Sequence, residues 1–199
     1  MKIKSLEFLK SSQKISECPP SNKPEFAFIG RSNVGKSSLI NMLMNKKSLA
    51  KVSSVPGKTQ LINHFEVNKT WYLVDLPGYG WAKVGQKMRE SWENNINDYL
   101  LQRENLYCVF LLIDSRHEPL KNDLGFMQWM AEVEIPFMLI FTKTDKLSKN
   151  KVQSTIAKYR KIMKKTWEVM PQYLVSSSLS GEGKEEILNM IDNIIEDVN

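Results

Sequence analysis

Between Phe28 and Ile40 the chain reads FIGRSNVGKSSLI. Apolar residues give way to a polar loop bounded by Gly30 and Gly35, and a helix-like pattern then resumes. A surface turn has a use for the glycines but none for Lys36, Ser37 and Ser38 directly after them. Gly30-Arg31-Ser32-Asn33-Val34-Gly35-Lys36-Ser37 satisfies the spacing GxxxxGK followed by Ser, in the strand-then-helix setting that this pattern requires. The glycines let backbone N–H groups wrap a phosphate chain, and the helix start adds its positive dipole end. Lys36 then reaches the β and γ phosphates and Ser37 ligates Mg²⁺.

Outward from this loop, short apolar runs read as buried strands: FAFI at 26–29, WYLV at 71–74, LYCVFLLI at 106–113, FMLIF at 137–141 and YLV at 173–175. LINHFEV at 61–67 is a less apolar candidate. Helical spacing relates Met88, Trp92, Ile96 and Tyr99, then Leu120, Leu124 and Met127, then Val152, Ile156, Tyr159 and Met163. Ile187, Met190, Ile191, Ile194 and Val198 mark a last helix. Strands alternating with helices imply an α/β fold whose mostly parallel sheet is covered on both faces. Ligands of such sheets bind beyond the carboxyl ends of the strands.

The residues just past each strand are therefore informative. After WYLV comes Asp75-Leu76-Pro77-Gly78, a carboxylate placed to hold Mg²⁺ through water and a glycine whose N–H can approach a γ-phosphate. After FMLIF comes Thr142-Lys143-Thr144-Asp145. An Asp there accepts two hydrogen bonds from guanine N1–H and the exocyclic amine, a pattern adenine lacks, while the Lys143 stem packs over the base. After YLV, backbone N–H groups around Ser177 and Ser178 can meet guanine O6. SVPGKTQ supplies Thr59 on a loop ahead of the Asp75 strand, to complete Mg²⁺ coordination and touch the γ-phosphate. Four strand ends and one loop converge on GTP with Mg²⁺.

At 199 residues the chain suits one domain. Residues 1–22 lack sustained periodicity and run into the proline-rich ECPPSNKP, so they read as an N-terminal extension, with a short edge strand near IKSLEF, ahead of a domain at 23–199. Cys18 and Cys108 show no metal spacing, and Cys108 lies in an apolar run, which argues against a disulfide or metal site. The start has no unbroken apolar leader and no run approaches the roughly 18 residues of a membrane span, so a cytoplasmic protein without membrane insertion is expected. The net charge of +6 suits a polyanionic partner without naming one.

These motifs resemble the five guanine-nucleotide motifs of translation-factor-class GTPases. GRSNVGKSS, PGKTQLINHF and DLPGYGWAK resemble the EngB/YihA/YsxC family of bacterial ribosome-assembly GTPases, from about Lys2 to the final helix. The resemblance implies a Ras-like P-loop G domain, three-layer α/β/α with a six-stranded, mostly parallel sheet. It implies GTP and GDP binding, a role in maturation of the large ribosomal subunit, and cell division affected when that fails. By position it assigns nucleotide contacts to Gly30 through Ser37, to Gly57, Lys58, Thr59, Gln60 and Leu61, to Asp75, Leu76, Pro77 and Gly78, to Thr142, Lys143, Thr144 and Asp145, and to Ser176, Ser177 and Ser178. Lys36, Thr59 and Gly78 are the catalytic candidates, and Ser37 and Thr59 the Mg²⁺ ligands. A monomer is expected, with a large-subunit precursor, rRNA and ribosomal proteins, as its partner.

Three residues depart from the commoner GTPase pattern. Tyr79 follows Gly78 where Ras-type enzymes carry the Gln that orients attacking water, so slow intrinsic hydrolysis that needs a partner is expected. Tyr79 and Trp81 either stack on that partner or pack against the helix containing Trp92. Thr142 stands where Asn is commoner, with guanine selectivity expected to survive. Asn33 occupies the position that holds K⁺ in potassium-stimulated relatives, or simply stabilises the loop.

Positive charge concentrates at Lys46, Lys47, Lys51 and Lys58, and again on a helix at Lys158, Lys161 and Lys165, with Lys149, Lys151, Arg160 and Lys164 near. A solvated face is the plain reading of the second group, and the resemblance favours rRNA contact. A nucleotide-gated scaffold with incidental hydrolysis remains the alternative. A small-molecule phosphotransferase ranks low, because Asp145 sits in a base-reading motif and Thr59 in a switch loop.

Overall fold

The computed structural model describes residues 1–46, Leu49, 61–79 and 86–198, with only the helix backbone at 86–93. Gly57, Lys58, Thr59, Gln60 and Trp81 lie outside the described residues, as do Lys47 and Lys51 and the side chains of Met88 and Trp92.

Seven strands form one sheet: β1 (Leu6–Ser12), β2 (Glu25–Gly30), β3 (Ile62–Val67), β4 (Trp71–Asp75), β5 (Leu106–Asp114), β6 (Phe137–Thr142) and β7 (Tyr173–Val175). Their order is β1-β3-β4-β2-β5-β6-β7. Pairs from β4 through β7 are parallel, whereas β3 runs antiparallel to both β4 and β1. The sheet thus has one strand more than the six expected. The seventh is β1, the edge strand expected near IKSLEF, which runs on to Ser12. Leu6 packs on one side of the sheet and Leu9 on the other, while Phe8, ring against Phe65, stays 53% exposed at this edge.

β2 is buried along its whole length because helices cover both of its faces. Phe26, Phe28, Leu73, Phe110, Leu112 and Ile140 point to one side, against Leu39, Ile40 and Leu43 of α1 (Lys36–Leu43) and Ile187, Leu188 and Ile191 of α5 (Lys184–Val198). Their neighbours in the alternation, Ala27, Ile29, Val74, Leu111 and Phe141, point to the other. There they meet Ile96, Tyr99 and Leu100 of α2 (Gln86–Gln102), Met127 and Met130 of α3 (Lys121–Glu132), and Val152, Ile156, Tyr159 and Met163 of α4 (Lys149–Met163). The architecture is the expected α/β/α sandwich, and the expected apolar stripes with described side chains face the sheet, except that Val198 at the end of α5 is 56% exposed. Among the described residues no helix is long and apolar enough to cross a membrane.

A carboxylate enters this interior at the opposite end of β2 from the phosphate loop. Glu25, fully buried at the start of β2, accepts from Tyr99 Oη at 2.6 Å and from Arg103 Nε and a terminal nitrogen at 3.0 and 2.5 Å. His64 Nε2 lies 3.3 Å from it. Burial would raise this carboxyl, but His64, Arg103 and Tyr99 draw it down to about 2. Arg103 also donates to Pro19 O at 2.7 Å, so the cluster ties the N-terminal segment to the end of α2.

Candidate nucleotide site

The strand register lines up the expected motifs along one edge. Phe28 pairs with Asp75, Gly30 with Leu112, Asp114 with Thr142 and Phe141 with Val175, so the loops after these strands all leave the sheet at its carboxyl side.

The first of them turns through Asn33 (φ 63) and Gly35 (φ 105) before α1 starts at Lys36. The left-handed φ at Gly35 suits a residue without Cβ. No side chain caps this helix, so the first-turn N–H groups and the dipole end are presented to an anion. The Lys36 ammonium contacts the Asp75 carboxylate, and both side chains are nearly buried. Leu76 N donates to Phe28 O at 3.0 Å and Tyr79 N to Gly30 O at 3.1 Å, which lays Asp75–Gly78 along the phosphate loop. Gly78 is required there, since a Cβ would stand 2.9 Å from Gly30 O and 3.3 Å from Ser32 N.

Thr142 closes the same loop from the far side. Its hydroxyl donates to Val34 O at 2.6 Å and lies 3.2 Å from Ile113 O. The Lys143 ammonium reaches Asn33 O at 2.5 Å and Asp114 Oδ2 at 2.9 Å, with its stem running past Gly35. Arg116 grips Asp114 with two nitrogens at 2.9 and 2.8 Å. Burial acts to raise the Asp114 carboxyl, and these bonds from Arg116 and Lys143 hold it at about 2.

Where base reading is expected, Asp145 accepts from Ser177 Oγ at 2.7 Å and Lys146 lies 3.2 Å away, both of which lower its pKa. Thr144 Oγ1 donates to Glu182 at 2.5 Å. Ser176 N and Ser177 N are already bonded, to Phe141 O at 2.8 Å and Glu182 O at 3.2 Å, which leaves Ser178 as the exposed member of the trio. The backbone contact expected of Ser177 is therefore used internally, and its hydroxyl aligns Asp145 instead. Leu61, the described residue of the second loop, is half-buried. Tyr79 departs from expectation: it is 9% exposed and packs on α3, neither facing a partner nor lying free.

The family model described as "50S ribosome-binding GTPase" matches residues 25–143. A probable GTP-binding protein EngB of Flavobacterium psychrophilum is 54% identical over all of this chain and 97% of its own length. The chain belongs to the EngB family of GTP-binding proteins. The Flavobacterium johnsoniae EngB is 56% identical over all of this chain and 95% of its own length. A crystal structure of a probable EngB superposes with a TM-score of 0.70 at 25% identity, covering 87% of this chain and 99% of that one. Family membership makes the chain a GTPase with the Ras-like P-loop fold.

Within this EngB site, sequence reading missed Asp114, which anchors Lys143, and Glu182, which takes the Thr144 and Ser177 bonds. The rule applied to the other strand ends also points to Asp114, because it ends β5. Nothing local marks Glu182, which lies past a Ser/Gly turn. A cavity of about 140 Å³ lies between Arg31–Val34 and Asp114–His117, while a wider groove of about 610 Å³ opens at the opposite sheet edge, beside Met138, Arg160, Met170 and Tyr173.

Proposed function

We propose that this chain is a GTP/GDP switch acting in assembly of the large ribosomal subunit. The observation that carries the nucleotide placement is the meeting of four strand-end loops around one uncapped helix start. In this placement, Gly30 through Ser37 cradle the phosphates and Asp145 reads guanine. Lys143 braces Asn33, and Thr142 braces Val34. Lys36, Gly78 and Thr59 face the γ-phosphate.

The residues fit a Mg²⁺ ion: the Ser37 and Thr59 hydroxyls would hold it directly and Asp75 through water, beside a Gly78 cradle that a Cβ would fill. Bound there, such an ion would neutralise phosphate charge. On binding, the Lys36–Asp75 pair would separate, the ammonium going to phosphate and the carboxylate to the metal shell. Tyr79, turned toward α3, orients no water, so intrinsic hydrolysis is slow and the stimulating group comes from the partner.

The family description supports a ribosomal partner. So does the helix surface of α4, where residues 149–165 contain seven Lys or Arg and no acidic residue. Lys158 is paired with Glu118, and among the described residues Lys151, Lys161, Lys164 and Lys165 make no ion pair. We assign this face to rRNA, in the cytoplasm, with the monomer as the working form and normal cell division dependent on the assembly it serves. The buried Tyr79 also favours a second reading, a nucleotide-gated scaffold whose hydrolysis is incidental.

GTP turnover with and without large-subunit precursor, in matched potassium and sodium buffers with Mg²⁺, tests this. Stimulation by precursor is expected. Binding without stimulation leaves the scaffold, and no binding sinks both readings. Equal turnover in the two salts removes a K⁺ site at Asn33.

A further inference from the structure

Directly after Gly78 stands Tyr79, a side chain with no place in the phosphate chemistry. Tyr79 lays its ring 5.0 Å from that of Phe126, tilted by 30°, and its hydroxyl donates to Asp123 Oδ1 at 2.9 Å. Asp123, in the first turn of α3, is 3% exposed. Among the described residues it forms no ion pair; it accepts from the Tyr79 hydroxyl, with Arg31, Tyr159 and His117 acting on it from nearby. A buried carboxylate left to hydroxyls costs stability, and burial holds its carboxyl above the usual range. Such a group invites a functional explanation.

Its partner supplies one. Tyr79 forms a parallel bridge with Arg31 and bonds through its N–H to Gly30 O. With the Leu76–Phe28 bond at the other end, the segment Asp75–Gly78 is tied down on both sides of the Gly78 peptide, which in this placement senses a γ-phosphate. Freed from α3, Tyr79 would swing out, and the Gly78 N–H would lose its fixed aim.

We propose that Asp123 is a positioning residue for the GTPase reaction, which holds the Tyr79 hydroxyl, fixes the Gly78 N–H on the phosphate loop, and so sets the preference between GTP and GDP. Resting on the nucleotide placement above and not on the ribosomal partner, this role is felt by GTP alone, since GDP offers no γ-phosphate to that N–H. The residue after DLPG thereby serves as an anchor and not as a guide for water.

Equilibrium binding of GTP (as a non-hydrolysable analogue) and of GDP to the full chain tests it, with melting temperatures in parallel. Tyr79→Phe keeps the ring on Phe126, Asp123→Leu removes the acceptor, and Asp123→Asn keeps an acceptor oxygen. The ratio of GTP to GDP affinity should fall about fivefold to tenfold in Tyr79→Phe and Asp123→Leu. It should fall no further in the double variant and recover most of the way in Asp123→Asn. Parallel loss of both affinities, or a lower melting temperature with the ratio unchanged, would reduce the pair to a structural contact and overturn the proposal. So would an Asp123→Asn ratio as low as that of Asp123→Leu. Failure of the wild-type chain to bind either nucleotide overturns the placement beneath it. If Tyr79→Phe does not fold, the two Asp123 variants decide.

Discussion

The Thr142 hydroxyl occupies a place where its chemistry is used in full: buried, it donates to the Val34 carbonyl of the phosphate loop. That bond explains how Thr can replace the commoner Asn, since what the position needs is a donor aimed at this carbonyl. Thr142→Val keeps the shape and orphans the acceptor. We expect it to cost roughly 1–2 kcal/mol, lowering the melting temperature by about 2–8 °C, with nucleotide affinity reduced as well. Calorimetry against nucleotide titration checks both. At Gly78, an added Cβ meets a backbone oxygen that cannot swing away. Gly78→Ala should weaken binding of a GTP analogue at least about tenfold while GDP binding changes much less. Single residues were legible where spacing marks them, as at Lys36 and Asp145. Glu182 was not, because its role arises only from a turn that folds it back onto Thr144.

Among the elements, strands and helices followed from apolar period, down to the three-residue β7. The parts least visible were the far half of β1, beyond the expected IKSLEF, where half-buried Leu9 and buried Ser12 flank exposed Lys10 and Ser11, and the Glu25 cluster. A Glu at the head of an apolar run reads as a boundary, and its partners Tyr99 and Arg103 are 74 and 78 residues away. Because Glu25 has a folded pKa of about 2 against an ordinary 4.5, its contribution is fully present above about 4.5 and is lost as pH falls toward 2. Glu25→Gln should therefore flatten the dependence of stability on pH across that window, measured by denaturant titration at stepped pH. Arg103→Met leaves the carboxylate buried without its main cation, and should cost about 3–5 kcal/mol at neutral pH.

For the whole molecule, the net charge of +6 is unevenly spread, and the α4 face is its most one-sided part. If that face meets RNA phosphates, Lys161, Lys164 and Lys165 together set part of the salt dependence of binding. Replacing all three with Ala should reduce the slope of log affinity against log salt by about 2 to 3. An unchanged slope would place the RNA elsewhere.

The clamps on the phosphate loop come from far along the chain: Thr142 lies 108 residues beyond Val34, and Lys143 lies 110 beyond Asn33. During synthesis at about 5–20 residues per second, the loop must wait on the order of 5–20 s for these residues to be made. Through that interval the nascent chain holds the phosphate-binding sequence without the groups that shape it. Capture of nucleotide then becomes a late event in the life of the polypeptide, a mark that translation has passed β6.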